Sequence, residues 1–473
     1  MRQHLPRWNT KLGRRSKPIR LPSFPKSPNP QPVLAIMMRT ISDYGAKSGT
    51  EGPQTEAIQA ALDAVAASGG GTVLVPSGEY RIGTISLRSH VTLHLENGAI
   101  LKGSSNIADY PEVAGGFTDA VGQSRNRCLI YAKDTVGTVI SGPGCIDGNG
   151  GAFGYEEDGR PFMVRFISCQ DVQVTGITLK DSPGWVSHYL GCENVLIHGV
   201  TIRSRTNGNN DGIDIDSCRR VRISDCDLDT GDDAICIKAT RAVPSEDIIV
   251  TGCRICSTWG ALKLGTESAG DFRNILFSDI VIRNTEGGGI KLISMDGCRM
   301  ENVVADNIIM DNVSGPIFIR LGARLRRYFD DEPKREVGSI RGIELRNIRV
   351  RVWEEGYLLY GKLPRKAGVI VTGVPGHPVQ DVVMDNVRIE FPGGEAASDK
   401  PVSEQEAEYP EFPSFHPLPS WALFLRHARG LVFRHCRFTT RENDARPPVY
   451  LEDVTDCQFD DVTSNEIPLK NPK

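Results

Sequence analysis

Residues 171–179 read Asp171-Val-Gln-Val-Thr-Gly-Ile-Thr-Leu179, and this nine-residue phrase keeps returning along the chain. It recurs as Asn194-VLIHGVTI, Arg220-VRISDCDL, Asp247-IIVTGCRI, Asn274-ILFSDIVI, Asn302-VVADNIIM, Gly342-IELRNIRV and Asp381-VVMDNVRI, with a weaker copy from Gly430. The starts are 23, 26, 27, 27, 28, 40 and 39 residues apart. A nearly fixed period of this size marks a repeat architecture. Within each copy apolar and polar residues alternate, which is strand periodicity. Gly, Asn or Asp at the sixth position suits a tight bend between two short strands. A unit of about 20–30 residues is too short for a helical repeat with its connections, but it fits one coil of three short strands. The fold expected is therefore all-β: a right-handed parallel β-helix whose inward residues stack into apolar rows.

The flanking sequence fits that reading. Cys169, Cys192 and Cys218 each fall two positions before a copy, and Cys226, Cys253 and Cys436 each take its seventh position. Equivalent positions stack between coils, so these are packing ladders of small buried side chains. Ahead of the repeat, Ala57, Ile58, Ala61, Leu62 and Val65 form one face of a helix that Gly69-Gly70-Gly71 ends, placed to cap the open stack. The stretched spacings near 325–338 and 355–375 are insertions. Residues 391–420, rich in Pro and Glu, suggest a long surface loop or lid.

With 49 Gly and 29 Pro among 473 residues, the chain is punctuated for turns rather than long helices. No apolar run is long enough to span a membrane as a helix, and a net charge of −4 argues against a nucleic-acid binder. Residues 1–37 form a basic, Pro-rich extension expected to be disordered, and 38–473 a single catalytic domain. The extension lacks the apolar core of a signal peptide, so a cytoplasmic location is expected. Cys253-Arg-Ile-Cys256 has no partner pair for a zinc site, and no metal or cofactor is expected.

The densest chemistry lies between the second and fourth copies. It reads Asn207-Gly-Asn-Asn-Asp211-Gly-Ile-Asp214-Ile-Asp216, then Thr230-Gly-Asp232-Asp233-Ala-Ile-Cys-Ile-Lys238. Asp211 and Asp232 are 21 residues apart, just under one coil, and coils stack about 5 Å apart, so Asp211 should lie beside Asp232 and Asp233 on one face. Crowded carboxylates repel, and at least one should be pushed up in pKa. A protonated acid beside an ionised base is what hydrolysis of a glycosidic bond requires. Asp-rich loops also bind Ca²⁺, but a turn or a calcium loop explains less well a vicinal Asp pair stacked on Asn-Asn-Asp-Gly.

Asn209-Asn210-Asp211-Gly212 and Gly231-Asp232-Asp233, at this spacing in a β-helix, resemble the signature of the polygalacturonase family of glycoside hydrolases, family 28. The resemblance covers about residues 40–465, and Tyr44-Gly-Ala-Lys and Gly69-GGTVLVPSGEY resemble the start of pectin-degrading β-helices. It implies inverting hydrolysis. Asp232 would be the general acid, Asp211 and Asp233 would activate water, and Asn209 would position these groups or the sugar. The chain departs from the family twice. Where the family has Gly-His-Gly stands Trp259-Gly260-Ala261, and where it has Arg-Ile-Lys stands Gly289-Ile290-Lys291. Aligning Gly260-Ala-Leu-Lys263 with Gly288-Gly-Ile-Lys291 points both lysines the same way. With Arg320 on the next coil they would form a cationic wall that holds a uronate or lowers the pKa of a neighbouring carboxylate, unless they only neutralise a surface ladder of Asp and Glu. Trp185 and His188, one coil upstream, are candidates for stacking on and hydrogen bonding to the sugar, and Glu267 for a further polar contact. The expected substrate is an acidic pectin-derived oligosaccharide, from galacturonan or rhamnogalacturonan, with insertions that would favour exo action. A polysaccharide lyase and a non-catalytic carbohydrate-binding solenoid are the alternatives.

Overall fold

The computed structural model describes residues 37–119, 122–155, 159–329, 334–352, 368–398 and 400–472. The disorder expected of residues 1–36 falls outside them, as does most of the 355–375 insertion. Met37, assigned to the extension from sequence, belongs to the first strand, Met37–Thr40, which pairs with Gly71–Val75. Among the described residues, 34 strands join in one sheet that winds as a parallel β-helix.

The repeated phrase is two strands of each coil. In the first copy Val172, Val174, Ile177 and Leu179 point inward and are buried. The same four positions of the following copies continue the rows, for example Val221, Ile223, Cys226 and Leu228. The bend has a plain cause. Its sixth residue is left-handed in every copy, with φ from 53° to 69° at Gly176, Gly199, Asp225, Gly252, Asp279, Asn307, Asn347 and Asn386. Glycine, asparagine and aspartate tolerate that region best. The first residue is left-handed too, from Asp171 at 56° to Asp381 at 52°, with Arg220 at 55° the exception in residue type. That second bend was missed in the sequence, although seven of the eight first positions are Asp, Asn or Gly. Asn194, Asn274, Asn302 and Asn386 donate their side-chain amides to the stacked residue of the preceding coil, 2.8–2.9 Å away. The cysteines are buried as expected, and the Cys192 amide donates to Cys218 Sγ at 3.2 Å.

The helix Thr55–Ala67 buries Ile58, Ala61, Leu62 and Val65 against the first coils. Gly71 follows because a Cβ there would stand 2.1 Å from the Met37 carbonyl oxygen.

The third face of the coil carries the site. Its strands Ser187–Leu190, Ile213–Asp216, Ile235–Ala239, Leu262–Ser268 and Ile290–Ser294 are buried on both sides. The inner side meets the core. The outer side, polar in sequence, is covered by segments that leave the helix and return over it.

Candidate active site

Backbone pairing sets the carboxyl groups. Ile213 lies level with Ile235, and the Gly212 amide donates to the Asp233 carbonyl oxygen at 2.9 Å, so Asp211 stacks on Asp233. Gly212 has to be a glycine, since a Cβ would meet the Ala234 carbonyl oxygen at 2.5 Å. The turn holding Asp232 is fastened by three hydroxyls. Thr230 and Ser257 each donate to the Asp232 carbonyl oxygen at 2.7 Å, and Thr258 donates to that of Gly231. One oxygen from each of Asp211, Asp232 and Asp233 falls within 4.8 Å of the other two. Asp211 and Asp233 are buried, while Asp232 stays partly open to solvent.

The three acids differ in charge. Burial and then the neighbouring Asp233 raise Asp232 to about 7. Burial and then Asp232 hold Asp211 well above the usual carboxylate range. Burial pushes Asp233 up as well, but the Lys263 and Lys291 ammonium groups outweigh it and hold it below that range. Lys263 Nζ lies 2.5 Å from Asp233 Oδ2, and the Gly260 amide donates to Oδ1 at 3.0 Å. Gly260 leaves room for this arrangement, since a Cβ there would come within 2.4 Å of Asp233 Oδ1.

Lys263 and Lys291 pair on adjacent strands, as expected. Glu267 is present too, 3.3 Å from Lys238 Nζ. Although burial opposes it, Lys238, Lys263 and Arg324 hold Glu267 ionised, with a pKa of about 2. It balances charge in the wall. Asn209 stands two residues before Asp211, its side-chain oxygen accepting from Arg160 at 3.2 Å.

The structure corrects three expectations. Arg320 is not part of the cationic wall. Its guanidinium is buried and donates to the carbonyl oxygens of Gly373, Glu404 and Gln405, all at 2.7 Å, so it fastens the 391–420 insertion. Trp185, 3% exposed, packs among Phe117, Phe162 and His188 and carries the Lys238 ammonium over its ring at 4.5 Å. His188 is 0% exposed, and burial lowers it to about 4. Both rings support the wall from behind; neither presents a face to a sugar.

Three groups were missed. Lys238 lies 3.7 Å from Asp211 and 3.4 Å from Asp214. Asp214 is fully buried and held well above the carboxylate range by burial and then by Asp211. Their signal was visible: both lie in the quoted stretches, in the strands Ile213–Asp216 and Ile235–Ala239 that directly follow the acids. Glu411 carried no such signal. It comes from the 391–420 insertion, and its two oxygens accept from Lys291 Nζ at 2.8 and 2.7 Å.

Insertions wall the acids in. The hairpin of Phe117–Thr118 and Ser124–Arg125 covers the upstream coils, its Phe117 against Trp185 and His188. Arg160 ties Tyr155, Pro183 and Gly208 together through their carbonyl oxygens at 2.6–3.0 Å. Phe329 reaches from the downstream insertion to the same aromatic cluster. The three carboxylates are spaced to ligate a cation, but Lys238 and Lys263 already set two positive charges against them.

Residues 67–407 match the profile of Glycosyl hydrolases family 28. A probable polygalacturonase of Vitis vinifera is 30% identical over 273 residues, 53% of this chain and 55% of that protein. An exo-poly-alpha-D-galacturonosidase of Dickeya chrysanthemi is 26% identical over 334 residues, 58% of this chain and 55% of that one. The chain thus spans about half the length of these curated relatives. Among solved structures, a hyperthermoactive exopolygalacturonase from Thermotoga maritima is 27% identical with a TM-score of 0.64, covering 75% of this chain and 87% of that one.

Proposed function

The chain belongs to family 28 of the glycosyl hydrolases, and on that premise we propose that it is an inverting glycoside hydrolase acting from one end of pectin-derived oligosaccharides. The observation that carries this reading is the pairing of a partly open Asp232, poised near 7, with an ionised Asp233 beside it. Asp232 delivers its proton to the leaving oxygen as the glycosidic bond breaks. Asp233 takes a proton from the attacking water, with Asp211 helping to hold that water. A raised acid next to a depressed one is the division of labour this chemistry needs.

Inversion is the stereochemistry that family membership supports. Asp233 already has both oxygens engaged, by Lys263 and by the Gly260 amide. Burial and then Asp232 push the Asp211 carboxyl well above the usual range. One observation favours a second reading: the carboxyl oxygens lie within 4.8 Å, nearer the separation of about 5–5.5 Å found in retaining enzymes than that of about 6.5–9.5 Å in inverting ones. Exo action is supported by the insertions that close the ends of the face and by likeness to exo-acting relatives.

Proton NMR of the protein with mixed galacturonan and rhamnogalacturonan oligosaccharides tests this. New reducing ends that appear first as the inverted anomer uphold the proposal. First appearance of the retained anomer moves the mechanism to the second reading. An unsaturated uronate signal would make the protein a lyase.

A further inference from the structure

The cleft holds three buried ammonium groups, and each faces a carboxylate of this chain. Lys238 faces Asp211, Asp214 and Glu267; Lys263 faces Asp233; Lys291 faces Glu411. The last pair is made by the insertion, 120 residues away in sequence. Trp259 Nε1 also donates to Glu411, at 3.2 Å. Glu411 sits on a fixed base. Phe412 and Phe415 beside it are buried with Ile293, Met295 and Phe318. Upstream, Arg320 clamps the carbonyl oxygens of Glu404 and Gln405, and Arg426 clamps those of Val402 and Ser403 at 2.9 Å. Pulling Glu411 away would leave an unpaired charge in a buried place, which is strongly unfavourable.

A sugar carboxylate reaching Lys291 therefore meets an ammonium already neutralised, with the charges of Glu411 and Asp233 close by. Two residues before Glu411 stands Tyr409, 40% exposed, its ring centre 5.9 Å from Lys263 Nζ. An exposed ring at the edge of a charged cleft suits the C–H face of a neutral sugar.

We propose that Glu411 and Tyr409 select a neutral sugar unit on the Lys291 side of the scissile bond, Glu411 by cancelling the lysine's charge and Tyr409 by stacking. The inference rests on the hydrolase reading and names the unit it accepts. Of the two pectic backbones, rhamnogalacturonan offers a neutral sugar at alternate positions and galacturonan does not.

The test compares wild type, Glu411→Gln and Tyr409→Ala on trigalacturonate, its methyl ester and a rhamnogalacturonan tetrasaccharide. Both kcat/KM and, by calorimetry, Kd are measured. Wild type should prefer the ester and the tetrasaccharide over the free acid at least tenfold. Glu411→Gln should narrow that gap at least tenfold by gaining on trigalacturonate. Tyr409→Ala, an exposed change that does not threaten folding, should lose about tenfold on the neutral probes, mainly in KM. Equal or better use of trigalacturonate by wild type overturns the proposal, as does an equal loss on all probes in Glu411→Gln. If no probe is hydrolysed, the hydrolase reading fails and the calorimetry decides alone. Tighter trigalacturonate binding by Glu411→Gln upholds the selection; unchanged or absent binding in both proteins overturns it.

Discussion

Asp232 and Asp233 are neighbours in sequence whose carboxyl groups are shifted in opposite directions, and the difference lies in what faces each of them. Asp232→Asn removes the proposed proton donor and should lower kcat about 10²–10⁴-fold, read in a steady-state assay on the substrate found by NMR. The pH profile follows from the same two groups. Asp232 must be protonated, so kcat/KM should fall as pH rises through about 7. Asp233 must be ionised, and Lys263 and Lys291 hold it below the ordinary aspartate value of about 3.9. The acidic limb should therefore lie below that value. Lys263→Met removes the nearer ammonium and leaves burial to push Asp233 up, so the acidic limb should move to higher pH while the alkaline limb changes less. A profile that loses only height would separate Lys263 from the charge of Asp233.

At the scale of elements, the strands were legible because inward rows have to be apolar in every coil, and period two then shows. The carboxyl stack was legible for the same reason: one coil is one fixed step along the chain. Lys263 and Lys291 could be aligned because they sit at the same place in paired strands. Arg320 shares their outward face, but it lies level with Ile293, two residues further on, under an insertion whose path no periodicity encodes. Glu411 was illegible for that reason too. Turn residues carry a sharper expectation. Gly212→Ala drives a methyl toward the Ala234 carbonyl oxygen and should cost about 1–3 kcal/mol in urea unfolding. Gly260→Ala instead meets the Asp233 carboxylate. Its loss should appear in kcat, with a smaller change in unfolding midpoint than that of Gly212→Ala.

At the scale of the molecule, a long open sheet face has been converted into an enclosed site by segments that depart from the helix and fold back over it. The aromatic cluster of Phe117, Phe162 and Trp185 with Phe329 joins an upstream and a downstream insertion across that face. Digestion of a pectic polymer should therefore release small products while viscosity falls slowly; an early collapse in viscosity would mean the chain can be cut in its middle. The step between Asp211 and Asp233 is set by backbone pairing between coils, and side-chain changes elsewhere cannot stretch it. The insertions obey no such metre. Bond-breaking is thus written in the coils while recognition also draws on an insertion, and grafting residues 395–420 onto another coil stack of this kind, one with a lysine at the place of Lys291, should carry substrate preference across while the recipient keeps its own reaction.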